Sequence, residues 1–240
     1  VSLEAFLREQ RLLVVAPHAD DETAGAGGLI ARVKAAGGRA YVLVLSTGEL
    51  DHFDGKPGTR THGSVRAREL AEAMKVLGAD DFEIVMENSD KHLKLDMIPR
   101  MELTNLIERE ARLSTQKIDP TMVVFPAPSY NQDHEAVYKA GITACRPHLP
   151  AHKSFQRFVL VADAPQLAWS VPPYFKPNFY VDLPPEFLER KIRAYRCHAS
   201  QLRPAPSPAS VEALRRLAEV RGAEISTAAA EAFECYRFVV

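Results

Sequence analysis

Along the first two thirds of the chain, short apolar runs rich in β-branched residues alternate with stretches in which apolar residues recur every three to four positions. The apolar runs fall at 11–16, 40–46, 82–86, 121–126 and 155–162, and runs of that length and composition predict strands. Helix-period stretches at 22–37, 63–77, 96–114 and 133–145 lie between most of them. Gly37 and Gly38 predict the end of the first helix, and Pro120 lies just beyond the third. Such alternation predicts βαβ units and therefore the α/β class, a mainly parallel sheet with helices on both faces.

After residue 163 the pattern changes to the proline-rich stretch "APQLAWSVPPYFKPNFYVDLPP", then a helix near 185–202, the break "RPAPSPAS", and a further helix to about Arg221. The expected organisation is a catalytic core over 1–162 and a small C-terminal lobe over 163–240. The lobe covers one edge of the core, completes the same domain and contributes the substrate rim. The first ten residues form an amphipathic lead-in.

Composition narrows the partners more than the fold. With 30 basic and 31 acidic residues, no global field favours nucleic acid, an anionic membrane or a polyanionic protein. Cys145, Cys197 and Cys235 are far apart and odd in number, which argues against a disulfide framework or a thiolate zinc site and for a reducing, cytoplasmic setting. No apolar run approaches the roughly 20 residues that cross a bilayer. Because the chain begins at Val1 rather than Met, a trimmed targeting segment stays open. The exposed proline-rich part of the lobe offers a contact for a homo-oligomer.

Chemistry concentrates at two strand ends. The stretch "LLVVAPHADDETAGAGG" carries His18, Asp20, Asp21 and Glu22 directly after the first strand, and "PSYNQDHEAV" follows the strand "MVVFP". In an open parallel sheet, loops at the carboxyl ends of strands converge on one crevice. The two clusters therefore face one site, where His18, Asp21 and His134 offer two imidazoles and a carboxylate, a set that leaves a zinc position open. Taken singly, each is ordinary: carboxylates favour a helix start by about 0.3–1 kcal/mol, and a histidine in a first turn needs no ligand. Three consecutive carboxylates exceed what capping requires, and a cation accounts for all of them.

The motifs "PHADDE", "TGE" (Thr47, Gly48, Glu49), "RARELAEAMKVLGA" and "DHEAV" together resemble the PIG-L/LmbE-like zinc N-deacetylases, clearly over residues 10 to about 145 and weakly through "RKIRAYRCHASQ". The resemblance implies a Rossmann-like fold and removal of an acetyl group from an N-acetylated amino sugar of the N-acetylglucosamine type, or its conjugate. It also implies one Zn2+ per chain held by His18, Asp21 and His134, with Asp20 as general base acting on metal-bound water. Asp133 would orient a ligand ring. Where the family pattern has histidine, this chain has Asn131, whose amide can donate to an oxyanion but cannot carry a titratable proton. His198 or Tyr130 could supply the missing proton donor. Arg66 or Arg68 is expected to bind substrate hydroxyls or a phosphate, with Tyr130, His198 and Gln201 in the substrate wall. His52 and His62 belong to a glycine-rich rim loop, and His92, His148 and His152 to no motif.

Three other readings use the same residues. Gly25, Gly27 and Gly28 suggest dinucleotide binding, but Ile30 occupies the next glycine position and the carboxylates would repel a pyrophosphate. A His/Asp/His triad also suits a non-haem iron enzyme, whose usual scaffold is all-β. A receiver-like module would use the acidic pair for magnesium but leaves both histidines unexplained.

Overall fold

The computed structural model describes residues 2–51, 60–169 and 175–240. A short helix α1 (Leu3–Arg8) leads into β1 (Arg11–His18), α2 (Asp21–Ala36) and β2 (Arg39–Ser46). A small antiparallel pair, β3 (Leu50–Asp51) and β4 (Arg60–Thr61), precedes α3 (Gly63–Leu77) and β5 (Asp81–Met86). Then come α4 (Arg100–Asn105), α5 (Thr115–Ile118), β6 (Met122–Pro126), α6 (Gln132–Ala144) and β7 (Phe158–Ala162). The chain finishes with β8 (Phe179–Asp182), α7 (Pro185–Cys197), α8 (Val211–Ala223) and β9 (Ala230–Phe238).

Seven strands form one sheet in the order β5-β2-β1-β6-β7-β9-β8. The five strands from β5 to β7 are mutually parallel, and β9 runs antiparallel to both β7 and β8. The α/β expectation holds. From β1 the chain moves outward to β2 and β5, then returns to β6 on the other side of β1. That reversal opens a crevice at the carboxyl ends of β1 and β6. Side chains alternate across the sheet: Leu12, Val14 and Ala16 pack with Leu29 and Leu70 of α2 and α3, while Leu13 and Val15 pack with Leu103 and Val137 of α4 and α6. Among the described residues no helix is long and apolar enough to cross a membrane.

Two expectations need correcting. The helix expected at 96–114 is reduced to α4 and a π-helical turn at Leu106–Glu110, and α5 follows as a separate helix beyond it. The Glu83 carboxylate on β5 accepts the Arg112 and Leu113 amides, which draws the chain out of the helix toward the sheet. The sheet also extends beyond the predicted strands. β8 is only four residues inside a proline-rich stretch, and β9 is half exposed over its second half, so neither carries a continuous apolar run.

Helix α2 is broken at Ala26, whose φ of −140° and ψ of 16° are non-helical. The amides of Gly28 and Leu29 donate to the two carboxylate oxygens of Glu231 on β9, each at 2.6 Å. The Ala24 carbonyl accepts from Lys191 Nζ of α7 at 2.8 Å, and Lys191 pairs with Glu231 at 2.7 Å, both side chains buried. Backbone groups freed by the break are thereby satisfied by an ion pair from the C-terminal third.

Candidate active site

His18 closes β1, the chain turns through Ala19 and Asp20, and Asp21 opens α2; His134 lies in the first turn of α6, just after β6. One ligand atom from each of His18, Asp21 and His134 lies within 4.8 Å of the others. His18 Nδ1 is 3.3 Å from one Asp21 oxygen, and His134 Nε2 is 3.3 Å from the other. The second nitrogen of His18, Nε2, is 2.9 Å from Asp133 Oδ2, and Asp133 Oδ1 accepts the Leu95 amide at 2.8 Å. With its proton on Nε2 toward Asp133, a neutral His18 turns the Nδ1 lone pair to the shared point, the arrangement by which an outer carboxylate fixes a ligand tautomer. Burial works against a His18 cation, yet its bonds to Asp133 and Asp21 outweigh that and push its pKa up to about 9. Burial likewise opposes the Asp21 anion, but His134 and His18 hold it far below the ordinary carboxylate range. The same field favours a divalent cation among these three donors, and the donor set fits one.

Asp20 has a φ of 130°, strained for any residue with a side chain. The peptide joining Ala19 to Asp20 is gripped on both sides. Its carbonyl accepts from Arg66 Nη2 at 3.0 Å, and its N–H donates to Glu22 Oε2 at 2.9 Å. Glu22 is buried, and its other oxygen accepts from Thr23 Oγ1 at 2.6 Å and bonds His198 Nε2 at 3.0 Å. Arg66 is in turn braced by His92 Nε2 at 2.6 Å, and His92 Nδ1 lies 3.1 Å from Ser46 Oγ. The Asp20 carboxylate makes no hydrogen bond among the described residues; Arg66 Nη2 is 3.7 Å away. Burial and the neighbouring Asp21 charge raise its pKa to about 6 against the pull of Arg66.

A cleft of about 320 Å³ opens above these groups, lined by His18, Asp20, Asp21, Arg66, Tyr130, Asn131, His134 and Gln201 among others. Tyr130 stands on its rim, 56% exposed. Asn131 caps α6, its Oδ1 accepting the Asp133 amide at 3.0 Å. That leaves the Nδ2 hydrogens available to the cleft. Arg68 is exposed and is not among the described lining residues. His62 is exposed beside Glu49, and His52 lies outside the described residues.

His198 departs from its expected place in the substrate wall. It is 0% exposed and bonded to Glu22, so it supports the turn from below and cannot reach a substrate. His92, which no motif marked, packs edge-on against His18 with ring centroids 5.0 Å apart. Its one trace in the sequence is Gly48 of "TGE": a Cβ there would sit 2.4 Å from that of His92. Removing one member of a buried pair leaves its partner uncompensated. His198→Ala should therefore lower stability to urea by about 3–5 kcal/mol, whereas Glu22→Gln combined with His198→Gln should lower it less than the single change. Equal losses in the two would show that Glu22 does not depend on His198.

Comparison with known proteins gives a consistent picture. Residues 13–145 match the model of the PIG-L family, described as GlcNAc-PI de-N-acetylase. The chain is 28% identical to the diacetylchitobiose deacetylase of Thermococcus kodakarensis, over 82% of this chain and 72% of that one. It is 27% identical to the probable N-acetyl-alpha-D-glucosaminyl L-malate deacetylase 2 of Bacillus anthracis, over 80% and 82% respectively. The fold resembles that of N,N'-diacetylchitobiose deacetylase from Pyrococcus horikoshii, with a TM-score of 0.69, 20% identity, and coverage of 98% of this chain and 86% of that structure.

Proposed function

The chain belongs to the PIG-L family, and from that premise we propose that it hydrolyses the acetamide of an N-acetylglucosamine-type sugar, using one zinc ion held by His18, Asp21 and His134. A cation held there would supply Lewis acidity towards a water molecule and the amide carbonyl. The chain's own residues do the rest.

One observation carries the assignment of the base. Both oxygens of Asp133 and both of Glu22 are already hydrogen-bonded, and Asp21 is held by two imidazoles. Asp20 alone among these four carboxylates faces the cleft without a hydrogen bond among the described residues. It can take the proton from water and deliver it to the departing amine. Asn131 Nδ2 supplies a hydrogen bond to the acyl oxygen as charge develops on it. Arg66, only 3% exposed and bonded to His92 and the Ala19 carbonyl, keeps Asp20 in register, while Tyr130 on the rim offers aromatic surface to the sugar.

Acetate release from N-acetylglucosamine and N,N'-diacetylchitobiose by the zinc-loaded protein tests this function. Release abolished by chelation and restored by zinc is expected; no release from any N-acetylhexosamine by fully loaded protein overturns it. Because Asn131 also caps α6, the informative replacement is serine, which caps a helix equally well but lacks the amide donor. Asn131→Ser should lower kcat by about 10²–10³ with zinc retained. An unchanged kcat would remove Asn131 from the reacting carbonyl.

A further inference from the structure

Behind the metal-binding triad lies a second, smaller space. It shares Asp21, His134 and Gln166 with the sugar-sized cleft and extends between the ends of β1, β6 and β7. Its remaining walls are mostly apolar, including Val14, Ala16, Ala127, Ala162 and Leu167. The break in α2 borders it through Gly25 and Ala26. Its volume is about 20 Å³, enough for one water- or methyl-sized group. Three features limit its growth: the β strands behind it are buried in the sheet, a Cβ on Gly25 would already lie 2.9 Å from that of Ala162, and α2 is fixed there by Glu231 and Lys191.

We infer that this recess is the acyl subsite: it takes the methyl of the acetyl group and restricts the enzyme to acyl groups of one or two carbons. The inference rests on the deacetylase reading above and deepens it. An amide whose carbonyl lies beside the triad must direct its sugar and its acyl chain to different places. The cleft, with Asp20, Arg66, Tyr130 and Gln201 on its walls, suits the hydroxylated part. The recess, with its apolar walls and Asp21 and His134 at its mouth, suits the methyl. A longer chain has to displace strand-end side chains or turn back into the polar cleft. The wall best able to yield is Leu167, which sits on a short 3-10 turn (Pro165–Ala168) and is only partly buried.

The test compares N-formyl-, N-acetyl-, N-propionyl- and N-butyrylglucosamine with the zinc-loaded wild type and Leu167→Ala. Binding of acetate, propionate and butyrate to both proteins is titrated by calorimetry in parallel. For the wild type, kcat/KM should fall about tenfold or more for each methylene added beyond acetyl, and acetate should bind more tightly than butyrate. In Leu167→Ala the propionyl-to-acetyl ratio should rise by about tenfold, with the carboxylate affinities shifting in the same direction. Ala127→Val, which adds volume at another lining position, should favour formyl over acetyl. A wild type that accepts butyryl as well as acetyl, or a Leu167→Ala protein with unchanged ratios and unchanged carboxylate preference, overturns the assignment. If no acyl group is released from any sugar, the deacetylase reading fails; the carboxylate titrations still decide whether the recess sorts chains by length.

Discussion

Replacing His134 with alanine is expected to empty the metal site and bring deacetylation to background. Two of the three donors would remain, and His18 and Asp21 are neighbours on one turn that cannot close around a cation from a single side. Loss of an outer partner alone typically costs about 10–100-fold in metal affinity, so loss of an inner donor should cost more. The fold should survive, because the cap of α6 is Asn131 and its apolar face is Val137, Ala140 and Ala144. Zinc content after desalting, read beside far-UV circular dichroism, checks both halves of the claim. A folded variant that retains about one zinc per chain at wild-type affinity would take His134 out of the ligand set.

Asp20→Asn should keep the metal and lose about 10²–10⁴ in kcat, the range for removal of a general acid–base group. The substitution is clean at this position. The strained backbone is gripped through the Ala19–Asp20 peptide and not through the side chain, and asparagine tolerates positive φ better than most residues. KM should therefore change much less than kcat. The pH profile gives a second readout. As a base, Asp20 must be ionised, so activity is present above its pKa and lost as pH falls through it. Burial and Asp21 raise that pKa to about 6 while Arg66 opposes them. A cation among the neighbouring donors would bring it back down, so the acid limb of kcat/KM is expected at or below about pH 6. The asparagine variant should lack that limb. Turnover near the wild-type value would reassign the base, and the occupied oxygens of Glu22 and Asp133 make either a poor replacement.

The parallel core is legible because a strand buried on both faces has to be apolar throughout: β1, β2, β6 and β7 are such runs, and the half-buried edge strand β5 still keeps the apolar stretch Ile84 to Met86. β9 is not. Its first four residues, Ala230 to Phe233, are covered on both faces and include Glu231, while Cys235 to Phe238 are partly exposed, a mixture that reads equally well as loop. Within the site, the residues nearest one another in sequence could be read as a group, and His18, Asp21 and His134 do come together. The supporting layer could not be read. Arg66 reaches His92, and Glu22 reaches His198, across 26 and 176 positions of sequence. A buried histidine paired to a distant charge leaves no local pattern. For that reason the sequence alone puts His198 in the substrate wall and gives His92 no role.

The clasp of Lys191 and Glu231 on the broken helix has a consequence for how this chain can be divided and recombined. Glu231 lies in the last strand, 203 positions from the Gly28 amide that it holds. A chain cut before Ala230 would leave those amides unpaired and strip Lys191, which holds the Ala24 carbonyl, of its buried partner, beside the recess and the turn that carries His18 and Asp21. Recombination with a relative should therefore succeed when α2, α7 and β9 are inherited together and fail when they come from different parents, even where every residue that meets the substrate is kept. The heritable unit of this active site is wider than its surface.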